Sequence, residues 1–170
     1  VDYSSLFARL DKRVDKTFAN QVEFLQSLVK INSANPYFPE ESPRNKAIEQ
    51  KAVQLIWKKL KSLDLNPRKV YASAYRPNLL VNVGPKRFRK SLILSGHTDT
   101  ASPAENWTRD PFAAEIKSNR LYGAGALDMK GSLSAYLFAL QAILAEKIQL
   151  DGKLTLIFSA DGLTGASTKF

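Results

Sequence analysis

At 170 residues, with 44% hydrophobic and 24% charged content, the chain is long enough for one domain with its own core and has the balance of a globular protein. It contains no cysteine, which excludes disulfides, thiolate catalysis and Cys-based zinc sites, and no apolar run approaches the roughly 18 residues of a membrane span. The net charge of +9 raises nucleic-acid binding, but Lys86, Arg87, Arg89 and Lys90 form a short cluster with only Phe88 interleaved, so a solvated basic surface without nucleic acid or membrane is expected.

Residues 4 to about 30 predict a helix, because Leu6, Leu10, Val14, Phe18, Val22, Leu25, Leu28 and Val29 recur at helical spacing. Ser33 to Pro43 reads as a loop punctuated by prolines. Ser42-Pro43 has the pattern of an N-cap followed by proline in the first turn. The second helix is expected to run to about Leu63, with Ala47, Ile48, Val53, Ile56, Trp57 and Leu60 inward.

The period then changes. Pro67 to Ala72, Asn78 to Val83 and Ser91 to Ser95 predict three strands. Ala101 to Ser118 reads as a long connection, and Arg120-Leu121-Tyr122 as a brief extended piece. Lys130 to Glu146 predicts a helix, Asp151-Gly152 a turn, and Lys153 to Ala160 a buried strand. Helices, strands, helix and strand in that order imply a layered α/β domain. The apolar runs "SLILS" and "LTLIF" suggest central strands covered on both faces, with the intervening helix as a crossover.

Two segments can carry chemistry. The first is Gly96-His97-Thr98-Asp99-Thr100, at the C-terminal end of a predicted strand, where open α/β sheets bind ligands. His97 is the only histidine. In extended backbone His97 and Asp99 point to the same side, so one can bind a metal while the other supports it. The bland alternative is a strand-end histidine making ordinary hydrogen bonds. The second segment is "GAGALDMKG", Gly123 to Gly131. Its Asp128 reads either as a ligand or as the N-cap of the following helix. The spacing does not fit a phosphate-binding loop.

The order of these pieces carries more than either alone. "SLILSGHTDT", then Trp107, then Asp110-Pro111-Phe112, then "LYGAGALDMKG", an apolar helix and "LTLIFSAD" resemble the aminoacylase/carboxypeptidase G/desuccinylase family of zinc metallopeptidases and amidohydrolases. Upstream, "LVKINSANP" and "RPNLLVNVG" resemble further motifs of that family. The resemblance implies a three-layer α/β/α zinc-exopeptidase-like domain with a mixed, mostly parallel sheet, incomplete at the C-terminus. Residues 1–170 would be the N-terminal portion of the catalytic domain, with the lid and dimerisation domain and the C-terminal half absent. It implies His97 as a terminal zinc ligand, Asp128 as the carboxylate bridging two metals, and Asp99 as the catalytic acid supporting His97. Two zinc ions are expected, with cobalt or manganese as substitutes. The implied reaction is hydrolysis of amide bonds in N-acyl amino acids or dipeptides by a metal-activated water. The implied setting is cytoplasmic, with homodimers formed only through a lid domain.

The pattern also breaks. Where the family has Asp-Glu-Glu, with a general base followed by a metal ligand, this chain has Asp161-Gly162-Leu163. Neither Gly162 nor Leu163 can take a proton or bind a cation. Ala124 replaces the usual arginine, and Pro103 is displaced. The expectation is therefore a metallohydrolase by family that is inactive as this 170-residue chain. The competing reading is a non-catalytic homologue acting as a binding or scaffold domain.

Overall fold

The computed structural model describes residues 3–35, 48–73 and 76–163. The elements are α1 (Tyr3–Val29), α2 (Ile48–Lys61), β1 (Arg68–Ser73), β2 (Arg76–Val83), β3 (Ser91–His97), β4 (Glu115–Lys117), β5 (Arg120–Tyr122), an irregular π-type turn (Ala126–Lys130), α3 (Gly131–Ala145) and β6 (Lys153–Ser159). The expected cap at Ser42-Pro43, and the loop and helix positions between 36 and 47, lie outside the described residues.

Four strands form one sheet in the order β1-β2-β6-β3. β6 runs antiparallel to β2 and parallel to β3, and β1 is antiparallel to β2. The α/β class and the mixed sheet are as expected. The balance is not: two of these three pairings are antiparallel, because β1 and β2 form a hairpin ahead of the single crossover. That crossover, from β3 through α3 to β6, is what makes β3 and β6 parallel.

The alternation of β2 and β6 decides which face is core. Leu79 pairs with Phe158, Val81 with Leu156 and Val83 with Leu154, which puts these six on one side. They pack with Leu28 of α1, with Val53, Ile56 and Leu60 of α2, and with Leu133, Leu137 and Leu140 of α3. α3 is apolar nearly all round, as a helix enclosed by neighbours must be. All sheet residues of this core come from one face. The other face carries half-buried Leu80 and Ile157 and an Ile93 that is 59% exposed, so two of the three expected layers stand among the described residues.

Two further expectations are corrected. β6 is central, but β3 is an edge strand among the described residues, and its Leu92 is 57% exposed. An apolar run reports how much cover a strand needs, not which neighbours supply it. The 101–118 connection contains β4, which pairs with β5 as a separate small hairpin. In α1 only Leu28 and Val29 are fully buried, while Val14 and Phe18 are exposed. The helix docks on α3 through its C-terminal half, and an ion pair from Arg13 to Glu146 at 2.6 Å fastens the rest.

Candidate metal centre

His97 is the last residue of β3, and the parallel neighbour β6 ends beside it with His97 opposite Ser159. The chain then stays tied down. Thr98 N donates to Ser159 O, and Thr100 exchanges backbone hydrogen bonds with Ser33 and Asn35. These bonds hold 97–100 in place, with a bend at Thr98. The structure brings His97 and Asp99 together. His97 Nδ1 lies 2.9 Å from the backbone oxygen of Asp99 and 3.3 Å from its Oδ1. Nδ1 therefore carries the proton, and Nε2 is left facing outward.

Asp128 arrives from the π-type turn. Gly125 enters it with φ of +76°, a left-handed conformation at a position where a Cβ would overlap Thr100. Asp128 itself is extended rather than helical, at φ −122° and ψ 98°. It is not the cap of α3: Lys130 occupies that position, and no side chain caps the helix. Instead Asp128 Oδ1 stands 3.2 Å from His97 Nε2. The side chain of Asp128 is 73% exposed and that of His97 is 14% exposed, so the pair opens to solvent from the carboxylate side. Lys130 anchors the turn from below. It is buried, its Nζ donates to Ile31 O at 2.8 Å, and burial pushes the ammonium down to about 8.

Asp99 is fully buried and has a partner on every side. Asn35 Nδ2 donates to its Oδ2 at 2.7 Å, Gly162 N donates to its Oδ1 at 2.9 Å, and Leu163 N donates to Oδ2 at 3.3 Å. Burial alone would raise this carboxyl, but the bonds from His97, Gly162 and Asn35 outweigh it and hold it below the ordinary range. In turn, the hydrogen bond to Asp99 pushes the His97 imidazole up to about 9, against an opposing effect of burial. Stability from the imidazolium is complete below the ordinary value of 6.5 and is lost as pH rises through about 9. Because His97 is the sole histidine, its ring resonances are unique, and in chelator-treated protein they are expected to titrate near 9. A midpoint at or below 6.5 would show that Asp99 does not hold the ring.

Four residues of the surroundings carry no role in the sequence reasoning above. Asn35 Nδ2 also donates to Asp161 Oδ1 at 2.7 Å. Arg76 Nη1 meets Asp161 Oδ2 at 3.3 Å, and its Nε and Nη2 hold Glu49 at 2.7 and 2.6 Å. Arg76, Glu49, Asn35 and Asp161 are all buried. Burial pushes the Glu49 carboxyl up to about 7 against the pull of Arg76. In the sequence, Asn35, Arg76 and Asp161 fall within "LVKINSANP", "RPNLLVNVG" and "LTLIFSAD", and nothing there signals that they meet, while Glu49 inside α2 has no signal of its own.

An imidazole nitrogen and a carboxylate oxygen suit a divalent ion such as zinc. His97 and Asp128 fit one as two of its ligands. Among the described residues no group of three or more His, Cys, Asp or Glu side chains comes together as a metal cluster. Gly162 and Leu163 add backbone N–H groups to Asp99 and no donor for a cation.

Residues 93–166 match the model of peptidase family M20/M25/M40. Among curated proteins, the succinyl-diaminopimelate desuccinylase of Gluconobacter oxydans (strain 621H) is 40% identical over 85 residues, covering 50% of this chain and 22% of that protein. The enzyme of the same name from Xylella fastidiosa (strain M23) is 43% identical over 72 residues, covering 41% of this chain and 19% of that protein. The chain thus spans about a fifth of the length of these relatives. Among solved structures, human carnosine dipeptidase 1 superposes with a TM-score of 0.77 at 22% identity, over 90% of this chain and 34% of that one. The M20 family metallo-carboxypeptidase Sso-CP2 from Sulfolobus solfataricus superposes with a TM-score of 0.65 at 25% identity, over 82% of this chain and 30% of that one.

Proposed function

Because residues 93–166 match the model of peptidase family M20/M25/M40, we propose that this chain is the N-terminal portion of the catalytic domain of a metal-dependent hydrolase. Its substrates are small carboxylate-bearing amides, N-acyl amino acids or dipeptides, and its metal is zinc. The observation that carries this reading is the convergence of His97 Nε2 and Asp128 Oδ1 to 3.2 Å at the C-terminal end of β3, with His97 Nδ1 held by Asp99. In this reading His97 and Asp128 hold the ion. Asp99 keeps the proton on Nδ1 so that the Nε2 lone pair faces the ion. When bound, a divalent ion supplies Lewis acidity, polarising an amide carbonyl and acidifying water. The names of the relatives, desuccinylases and dipeptidases, support amides beside a carboxylate as the substrate class. No described helix is long and apolar enough to cross a membrane.

One observation favours the second reading, a homologue that binds without turnover. Gly162 and Leu163 place no proton acceptor beside His97. The test is zinc titration by competition with a chromophoric chelator, followed by assays on N-succinyl and N-acyl amino acids and dipeptides. The expected result is zinc binding that weakens at least ~100-fold in His97→Ala and roughly tenfold or more in Asp128→Asn. Zinc affinity that is unchanged in both variants defeats the metal-centre reading. Binding of these substrates without turnover selects the second reading.

A further inference from the structure

Three stretches far apart in sequence converge beneath His97, and the metal-centre reading uses none of them. Asn35 lies after α1, Arg76 and Asn78 begin β2, and Asp161 follows β6. Asn78 Oδ1 accepts from Ala160 N at 2.9 Å, and Arg76 Nη2 donates to Ala160 O at 3.0 Å, so β2 holds the residue that follows β6 by both of its backbone polar groups. That grip sets where Asp161, Gly162 and Leu163 leave the sheet. Asn35 Nδ2 then donates one proton to Asp161 Oδ1 and the other to Asp99 Oδ2, both at 2.7 Å.

We propose that Asn35 and Asp161 are positioning residues for His97: bridged by the Asn35 amide, Asp161 fixes the carboxylate of Asp99, which fixes the imidazole with Nε2 toward Asp128. The proposal rests on the metal-centre reading for its purpose, since the orientation matters because Nε2 is the ligand atom. The physical argument is one of geometry and of charge. Two buried carboxylates repel each other unless a donor stands between them, and a primary amide is the smallest neutral group with two N–H bonds to offer. An aspartate at 35 would supply none, and a serine only one. The chain of contacts runs His97, Asp99, Asn35, Asp161, Arg76, Glu49, alternating donor and acceptor, with every member beyond His97 buried. Interactions behind a metal-binding histidine orient the ligand and are expensive to lose. Here that support extends two residues further than the Asp99 carboxylate.

The single histidine makes the test direct. In the full 170-residue chain labelled with nitrogen-15 histidine and stripped with chelator, the Nδ1–H proton of His97 should exchange slowly with solvent. The ring should also show proximity to Gly162, whose backbone lies against it. In Asn35→Ala, with fold checked by circular dichroism, that exchange should accelerate at least ~10-fold, the ring–Gly162 proximity should vanish, and zinc affinity should fall about tenfold. Asn35→Ser, a smaller perturbation, serves if the alanine variant does not fold, and should shift the same signals in the same direction. Variants that lose thermal stability while keeping the wild-type ring signals overturn the proposal, because a structural role alone would do that. Adding zinc to the wild type separates the two ideas. A missing Nε2 shift there defeats the metal-centre reading, while the chelator-stripped comparison still decides whether Asn35 and Asp161 position the ring.

Discussion

Arg76→Met is expected to cost about 3–5 kcal/mol of folding stability at pH 8, the usual range when one partner of a buried ion pair is removed. Arg76 is 4% exposed and is shared between Glu49 at 3% and Asp161 at 0%. Methionine fills most of the volume but leaves two buried carboxylates and the Ala160 carbonyl without the guanidinium. A domain of this size holds roughly 5–15 kcal/mol in total, so the loss is a large share of the whole. The pH dependence gives the prediction its sign. Glu49 already has a raised folded value of about 7, because burial outweighs Arg76. For such a group, stability falls as pH rises from the unfolded value toward the folded one, and is level above it. Removing Arg76 lifts the folded value further, so the loss continues to higher pH. The gap between variant and parent should therefore be larger at pH 8 than at pH 5.5, as measured by urea unfolding at both. Equal stability of variant and parent at pH 8 would mean that the buried network does not depend on Arg76.

The elements were legible where periodicity was strong. α1, α3, the end of α2 and the four longer strands fall within a few residues of where spacing puts them. What spacing could not give was neighbours. "SLILS" has the composition of an enclosed strand, yet β3 has β6 on one side only among the described residues. The apolar stripe of α1 is continuous through Val14 and Phe18, but the layer it would cover is not among the described residues. At the site, His97, Asp99 and Asp128 could be nominated because the order of the motifs resembles a known family, whereas each motif alone left a bland reading open. Asn35, Arg76 and Asp161 lie in stretches that carry the same resemblance, but that they meet, and that Glu49 of α2 joins them, depends on the sheet order and not on any spacing. The N-cap reading of Asp128 failed for a local reason. The preceding Gly125 turns the chain into a left-handed conformation, and the irregular turn that follows gives the cap position to Lys130.

Gly162→Glu is expected to leave the chain without gained activity and with weaker metal binding. By sequence alone, this substitution restores a carboxylate where the family carries its general base, and a restored base is commonly worth about 10²–10⁴ in rate. The structure argues otherwise. A Cβ at 162 would overlap both Cβ and Cγ of His97, with Cδ2 close behind. These are not the far ends of a flexible chain: the imidazole is pinned by Asp99, and Gly162 N is itself bonded to Asp99 Oδ1 at 2.9 Å. A side chain at 162 must therefore push His97 away from Asp128 or lift the 161–163 segment off Asp99, and either move loosens the ligand. Overpacking of this kind costs about 1–3 kcal/mol. Gly162→Ala supplies the control, since it adds the Cβ without the carboxylate. Both variants should bind zinc less tightly than the parent, by about tenfold or more where Asp99 support is lost, and neither should hydrolyse N-acyl amino acids faster. If instead Gly162→Glu gained turnover while Gly162→Ala did not, and both kept the parent zinc affinity, the 161–163 segment would have to back away from His97 at little cost. The glycine would then be a missing base and nothing more, rather than the residue that lets the backbone close against the ligand.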